Sequence, residues 1–196
     1  MFMSSLQNAL IFTIHTIFST YIIIVLFRFM LQLVRADFYN PLAQVAIRIT
    51  NPLLVPLRRI IPGYAKIDVA SLVLALLLQG VELYAILITK GFSVAPSTTS
   101  ILGLFIWSSG ELLDLFLVFL FFATLIQAIA SWVQPGQYNP GVALFSRITD
   151  PFFNPIRRVL PDFGMLDFAP LVGIFVIYLT RMIIANPIIF YGRGLI

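Results

Sequence analysis

A twelve-residue stretch that occurs twice constrains this chain more than any other feature. Residues 51–62 read Asn-Pro-Leu-Leu-Val-Pro-Leu-Arg-Arg-Ile-Ile-Pro, and residues 150–161 read Asp-Pro-Phe-Phe-Asn-Pro-Ile-Arg-Arg-Val-Leu-Pro. The offset is 99 residues, and three prolines and two arginines keep their spacing without a gap. Between 40–72 and 139–171, 13 of 33 positions are identical, so the match extends beyond the core motif. Such repetition divides the chain into two similar halves.

Both halves have the composition of a membrane protein. The chain is 60% hydrophobic and 10% charged, with a mean hydropathy of +1.02, whereas soluble domains carry about 25% charged residues. It contains no cysteine, which excludes a disulfide, a thiolate nucleophile and a zinc–thiolate site. The composition therefore predicts an integral membrane protein.

Four apolar runs, at 8–34, 68–89, about 111–133 and 168–185, are long enough to be transmembrane helices. The first has no basic residue before it and is too long for a signal peptide, so we expect it to be retained. Two runs fall in each half. We therefore divide the chain into a first repeat at 1–89, a polar linker at 90–100 and a second repeat at 101–196.

The segment between the two spans of each half is patterned as surface helices. Asn40 is a natural N-cap with Pro41 at the first helical position, and Asn139 with Pro140 repeats the arrangement. A second short helix is predicted to follow, with a cap, a first-turn proline, an internal proline that kinks or restarts it and a proline that stops it. These residues are Asn51, Pro52, Pro56 and Pro62, and in the second copy Asp150, Pro151, Pro155 and Pro161.

The predicted fold is therefore all-α, with four transmembrane helices in two tandem parallel repeats. Each repeat places a kinked pair of short amphipathic interfacial helices between its two spans.

The double arginines of the repeated motif have two interpretations. Arg58 and Arg59, with Arg157 and Arg158, can bind anionic lipid headgroups, worth roughly 1 kcal/mol each, or a partner's helix. Alternatively, one arginine of each copy pairs with Asp68 or Asp167, which are predicted to cap the following spans. A planar guanidinium suits such a pair.

The charged residues within the predicted spans also have more than one interpretation. Arg28 either extends toward the membrane surface or is a buried partner inside the bundle. Glu82 and Arg181 are predicted to form an ion pair across the bundle. Glu111 and Asp114 either end a span at the interface or suit a cation that approaches from outside.

The basic residues are distributed unevenly over the loops. Eight fall in the two repeat loops and two lie on the other side: Arg35, Arg48, Arg58, Arg59, Lys66, Arg147, Arg157 and Arg158, against Lys90 and Arg193. The positive-inside rule then predicts that the repeat loops are cytoplasmic and that both termini are periplasmic.

The doubled motif resembles the YggT family, also called YlmG, in its long two-repeat version. The resemblance implies a multi-pass protein of the bacterial inner membrane. It links the chain variously to osmotic-stress tolerance and potassium uptake, to cell or plastid division and nucleoid distribution, and to cytochrome assembly. It implies no reaction and no catalytic residue. The prolines, the arginines and the aspartates of the motif are then signature positions.

Function is predicted from what the sequence lacks as well as from the motif. No catalytic triad, phosphate-binding glycine run or metal cluster is recognisable, so we expect no enzyme and no cofactor. His15 is the only histidine, which disfavours a metal site. The leading hypothesis is a membrane organiser or assembly factor, with anionic lipid, a membrane-protein partner and further copies of the chain as partners, and no nucleic acid. The alternative is a small-cation channel or transporter component, for potassium, as an oligomer.

Overall fold

The computed structural model of the chain describes residues 2–36, 39–61, 67–92, 98–133, 139–160 and 168–196. Almost all of these residues are helical. The helices, in chain order, are α1 (Phe2–Leu33), α2 (Pro41–Ile60), α3 (Val69–Thr89), α4 (Thr98–Val133), α5 (Pro140–Val159), α6 (Ala169–Thr180) and α7 (Asn186–Gly194). A π-helical turn, Arg181–Ala185, joins α6 to α7 without a break.

Four helices are long and apolar enough to cross a membrane, as the sequence predicts: α1, α3, α4 and the continuous α6–α7. Two of them extend further than expected. Helix α4 begins at Thr98 and not near 111. The fourth helix continues through Pro187 because a π turn precedes it, in which the Asn186 N–H donates to the Arg181 carbonyl. A π turn of this kind absorbs a local defect in the helical ladder.

The segment between the two spans of each half is a single helix. Helices α2 and α5 begin 99 residues apart, at Pro41 and Pro140, and each is 20 residues long. The predicted N-caps are confirmed: the Asn40 side chain accepts from the Leu42 N–H at 2.9 Å, and Asn139 accepts from Gly141 at 2.9 Å. The predicted division into two short helices is wrong, because α2 and α5 run through the internal prolines of the motif. Pro62 and Pro161 lie outside the described residues.

Polar side chains donate to backbone carbonyls in the turn before Pro52. A proline has no N–H to donate to the carbonyl four residues earlier, here that of Arg48. Two nearby carbonyls of the same turn have additional donors. The Thr50 hydroxyl donates to the Ala46 carbonyl at 2.7 Å, and Arg28 of α1 donates to the Ile47 carbonyl at 3.3 Å. The backbone before the proline is therefore supported from two sides.

Two helix ends turn the chain with a left-handed residue. Arg35 has φ 51°, and the Ala36 N–H donates to the Leu31 carbonyl at 2.9 Å. Gly91 has φ 80°, and Phe92 donates to the Leu87 carbonyl at 3.0 Å. This hydrogen-bond pattern satisfies carbonyls at a helix end and reverses the chain.

Each surface helix packs on the spans of its own half. Helix α2 contacts α1 and α3, and α5 contacts α4 and α6. Leu54 and Phe153, which occupy equivalent positions in the two copies of the motif, are both fully buried. Gly173 of α6 makes room for the larger ring, because a Cβ there would lie 2.0 Å from Phe153 Cε1. The surface helices are therefore fixed parts of the bundle.

Candidate functional site

Arg28 is a buried side chain that ties α1 to the middle of α2. The residue is 6% exposed. Its Nη1 donates to the Thr50 hydroxyl at 2.6 Å and to the Asn51 Oδ1 at 2.8 Å. The interpretation that Arg28 extends toward the surface is wrong, and the buried alternative is confirmed. Asn51 does not cap a helix; its side chain serves instead as a partner of Arg28.

The second half has a polar contact at the equivalent place. Position 127, which is 28 plus 99, is Gln127 on α4. Its Oε1 accepts from the Thr149 hydroxyl at 2.5 Å, as Thr50 accepts from Arg28 in the first half. Both repeats thus join the first span to the surface helix next to the proline by a side-chain hydrogen bond.

Arg58 holds the end of α2 to the start of α3. Its Nη2 donates to Asp68 Oδ2, and also to Gln32 Oε1 of α1 at 3.0 Å. Asp68 is 2% exposed and accepts a second hydrogen bond from the Ser71 hydroxyl. The predicted pairing of an arginine of the motif with Asp68 is confirmed. Asp68 occupies the N-cap position of α3, but its side chain does not bond to the helix backbone.

The electrostatic state of Asp68 follows from these contacts. Burial acts to raise the pKa of the carboxyl, whereas the hydrogen bonds from Arg58 and Ser71 and the arginine's charge act to lower it. The lowering effects are larger, so the pKa of Asp68 lies below its usual value. Asp68 is therefore a carboxylate at neutral pH.

In the second copy the first arginine of the pair also makes internal contacts. Arg157 donates from Nη1 to Asp150 Oδ1 at 3.1 Å and to Asn154 Oδ1 at 3.4 Å. The predicted N-cap role of Asp150 is therefore wrong, since it lies inside α5 and pairs with Arg157. The predictions that Asp167 caps the fourth span and pairs with an arginine of the second copy concern a residue outside the described part of the chain.

The second arginine of each pair is exposed. Arg59 and Arg158 face outward, and so do Arg48 and Arg147, which lie 11 residues earlier on the same helices. Eleven residues at about 100° each complete three turns, so the two exposed arginines of each helix share a face about 16 Å apart. We call these four residues the exposed arginine set. Sequence reasoning missed this division of roles within the motif, although the 11-residue spacing is visible in the sequence.

The predicted ion pair between Glu82 and Arg181 is wrong. Glu82, 1% exposed, contacts His15 Nδ1 of α1 at 2.6 Å and accepts from Gln79 at 3.1 Å. Arg181 instead donates to both carboxylate oxygens of Asp114, at 2.7 and 2.9 Å. The physical reason lies in the repeat. Positions 82 and 181 differ by 99, as do 15 and 114. Glu82 and Arg181 are therefore equivalent positions, and each contacts the first span of its own half.

A cavity opens beside Glu82. It has a volume of about 740 Å³, and the ionisable side chains that line it are His15, Glu82, Lys90, Glu111 and Arg193. Arg193 donates to Glu111 at 2.9 Å and lies 4.8 Å above the ring of Trp107. Glu111 and Asp114, which the sequence offered as span ends or as a cation site, therefore each have an arginine partner. Within the described ranges no cluster of three or more metal-binding side chains is present.

The chain matches the family model described as CCB3/YggT at residues 7–89 and again at 106–188. The two matched stretches are offset by the same 99 residues as the motif.

The chain belongs to the CCB3/YggT family.

Similar proteins support this membership. An uncharacterised protein of Pseudomonas aeruginosa is 48% identical over 184 residues, which covers 94% of this chain and 92% of the relative. The YggT protein of Escherichia coli K12 is 34% identical over 192 residues, 97% of this chain and 96% of the relative, and its function is likewise uncharacterised. A Vibrio alginolyticus protein is 41% identical over 170 residues, 85% of this chain and 88% of the relative. No solved structure matches the chain.

Proposed function

We propose that this YggT-family protein is a non-enzymatic membrane organiser that binds anionic lipid headgroups through its exposed arginine set. The main support for this proposal is that the two arginines of each Arg-Arg pair have different environments. Arg58 and Arg157 make internal hydrogen bonds, whereas Arg59 and Arg158 are exposed. The exposed member of each pair is thus available for phosphate groups, which a guanidinium binds well.

The apolar positions that are exposed on both surface helices fit the same proposal. Leu53 and Phe152 are 45% and 41% exposed, and Ile60 and Val159 are 78% and 85% exposed. An exposed apolar flank next to exposed arginines is typical of a helix that lies in the membrane surface. We therefore place α2 and α5 at the membrane surface, with the apolar flank toward the acyl chains and the arginines toward the headgroups.

The orientation and the cellular role are part of the proposal. The excess of basic residues in the repeat loops favours a cytoplasmic location for α2 and α5, in the bacterial inner membrane, with both termini outside. Each half then runs in the same direction through the bilayer, so the repeats are parallel. Binding of anionic lipid by two rigid surface helices would support the membrane, or a protein assembled in it, under osmotic stress.

Native mass spectrometry of the protein in detergent tests the proposal. Phosphatidylglycerol or phosphatidylcholine is added, and the number of bound lipids is counted for the wild type, for Arg59→Gln with Arg158→Gln, and for Lys90→Gln. At roughly 1 kcal/mol per arginine, each substitution weakens phosphatidylglycerol binding at its own site about fivefold. Lys90 is an exposed cation outside the motif, so Lys90→Gln controls for net charge. Equal binding by the arginine variant and the wild type would refute the proposal.

A cation channel or transporter component is the second candidate, favoured by the cavity beside Glu82. A buried glutamate side chain at the wall of a 740 Å³ cavity is a place where a cation could be held. Potassium flux into liposomes that contain the purified protein tests this candidate, with Glu82→Gln as the variant. Flux above that of empty liposomes, altered by the substitution, would support it. Flux equal to that of empty liposomes would count against it.

A further inference from the structure

The two halves bury equivalent positions to different extents. On α5, Leu144 and Ile148 are 3% and 0% exposed. Their counterparts 99 residues earlier on α2, Val45 and Ile49, are 55% and 39% exposed. The two helices have equal length and share their caps and prolines. The difference therefore lies in what covers the helices and not in the helices themselves.

In the second half, the end of α1 packs against α5 in addition to the spans of that half. The ring of Phe27 stacks on that of Phe145 of α5, with centroids 6.0 Å apart. Met30, which is 0% exposed, belongs to the same core cluster as Leu144 and Ile148. These contacts join the first half of the chain to the second.

The equivalent end of α4 has no such neighbour within the described residues. Ile126 and Ile129 are the counterparts of Phe27 and Met30, and they are 40% and 48% exposed. The chain thus forms the contact between halves once. The two surfaces that would form a second, equivalent contact remain exposed. One is on α4 and the other is on α2.

We infer that a second copy of the chain covers these surfaces, with the α4 end (Ile126 and Ile129) of one copy packed on the α2 flank (Val45 and Ile49) of the next. This contact between two copies is equivalent to the contact between α1 and α5 within one copy. The positions that are exposed in both halves, such as Leu53 and Phe152, are not part of it. Because two different surfaces meet, the contact is heterologous, and it closes into a ring when the rotation between copies permits.

Cysteine cross-linking tests the inference, because the chain has no native cysteine. Two differently tagged copies, one with Ile49→Cys and one with Ile129→Cys, are co-expressed, and membranes are treated with a short thiol-specific bifunctional reagent. Phe27→Cys with Phe145→Cys in one chain is the control for the existing contact, and it gives a cross-link within one copy.

The matched control for random encounter in the bilayer is Leu77→Cys with Leu171→Cys in separate copies. Both residues are exposed apolar positions, at 55% and 64%, on α3 and α6. We expect the Ile49 and Ile129 variants to give a dimer with both tags, several-fold above this control. A yield no greater than the control's would overturn the inference. Equal cross-linking between two copies that both carry Ile49→Cys would also overturn it, since the surfaces would then meet themselves.

Discussion

Replacing Arg58 by Gln should destabilise the bundle, whereas replacing its neighbour Arg59 should not. Arg58 is the partner of Asp68, whose side chain is 2% exposed, while the Arg58 side chain is itself 35% exposed. Removing one partner of a fully buried ion pair costs about 3–5 kcal/mol. Water reaches Arg58, and Asp68 keeps the hydrogen bond from Ser71, so we expect a loss of about 2 kcal/mol. An exposed surface substitution such as Arg59→Gln usually changes stability by less than about 0.5 kcal/mol.

The loss of stability in Arg58→Gln should depend on pH. The pKa of Asp68 is lower in the folded protein than its usual value. A carboxyl of this kind contributes stability that is fully present above its unfolded pKa, about 3.9, and that is lost as the pH falls through the folded pKa. Arg58→Gln removes the larger part of that contribution. The stability difference between Arg58→Gln and the wild type should therefore shrink at pH values below about 4.

The assay is unfolding of the purified protein in mixed micelles of increasing SDS content, followed by far-ultraviolet circular dichroism. The wild type, Arg58→Gln and Arg59→Gln are compared at neutral pH and at acidic pH. We expect a lower midpoint for Arg58→Gln alone, with a smaller difference from the wild type at acidic pH. Equal midpoints for the two variants at neutral pH would refute it, and so would a deficit for Arg58→Gln that does not change with pH.

Two further substitutions test the packing of the surface helices by the same assay. Gly173→Leu places a side chain where a Cβ alone would lie 2.0 Å from the Phe153 ring, and overpacking of this kind costs about 1–3 kcal/mol or more. Adding Phe153→Leu should restore part of the loss, because the first half has leucine at both equivalent positions; an unchanged loss in the double variant would contradict this. Arg28→Met removes the donor to the buried Thr50 hydroxyl and to Asn51 Oδ1 and should cost about 2–4 kcal/mol. Arg28→Gln should cost less, since Gln127 fills the equivalent position, and an equal cost for both variants would contradict the equivalence.

The parts of the fold that depend on local sequence could be predicted. The four apolar runs, the Asn40 and Asn139 caps and the pairing of Arg58 with Asp68 all follow from composition or from residues close in the chain. The continuity of α2 and α5 could not be predicted from their prolines. In α2, Arg28 of α1 donates to the Ile47 carbonyl near Pro52, and a local pattern does not reveal this contact between helices.

Less of the site could be predicted, because its contacts join side chains of different helices that lie far apart in the chain. Glu82 and Arg181 have opposite charges and lie in different spans, which suggested a pair. Subtracting 99 places them at one equivalent position, and it does the same for His15 and Asp114. The two contacts that form, between His15 and Glu82 and between Asp114 and Arg181, are equivalent pairs in the two halves. Burial decides the roles of Arg58 and Arg59, and the sequence of the motif does not distinguish them.

The central claim, that the exposed arginine set binds anionic lipid, is tested most directly by electron paramagnetic resonance of spin-labelled lipids. The protein is reconstituted in phosphatidylcholine bilayers with a trace of labelled phosphatidylglycerol or labelled phosphatidylcholine, and the immobilised fraction of each is measured. The comparison is between the wild type and a variant with Gln at positions 48, 59, 147 and 158. We predict a larger immobilised fraction for phosphatidylglycerol in the wild type and equal fractions for the two lipids in the variant. The same preference for phosphatidylglycerol in both proteins would contradict the account.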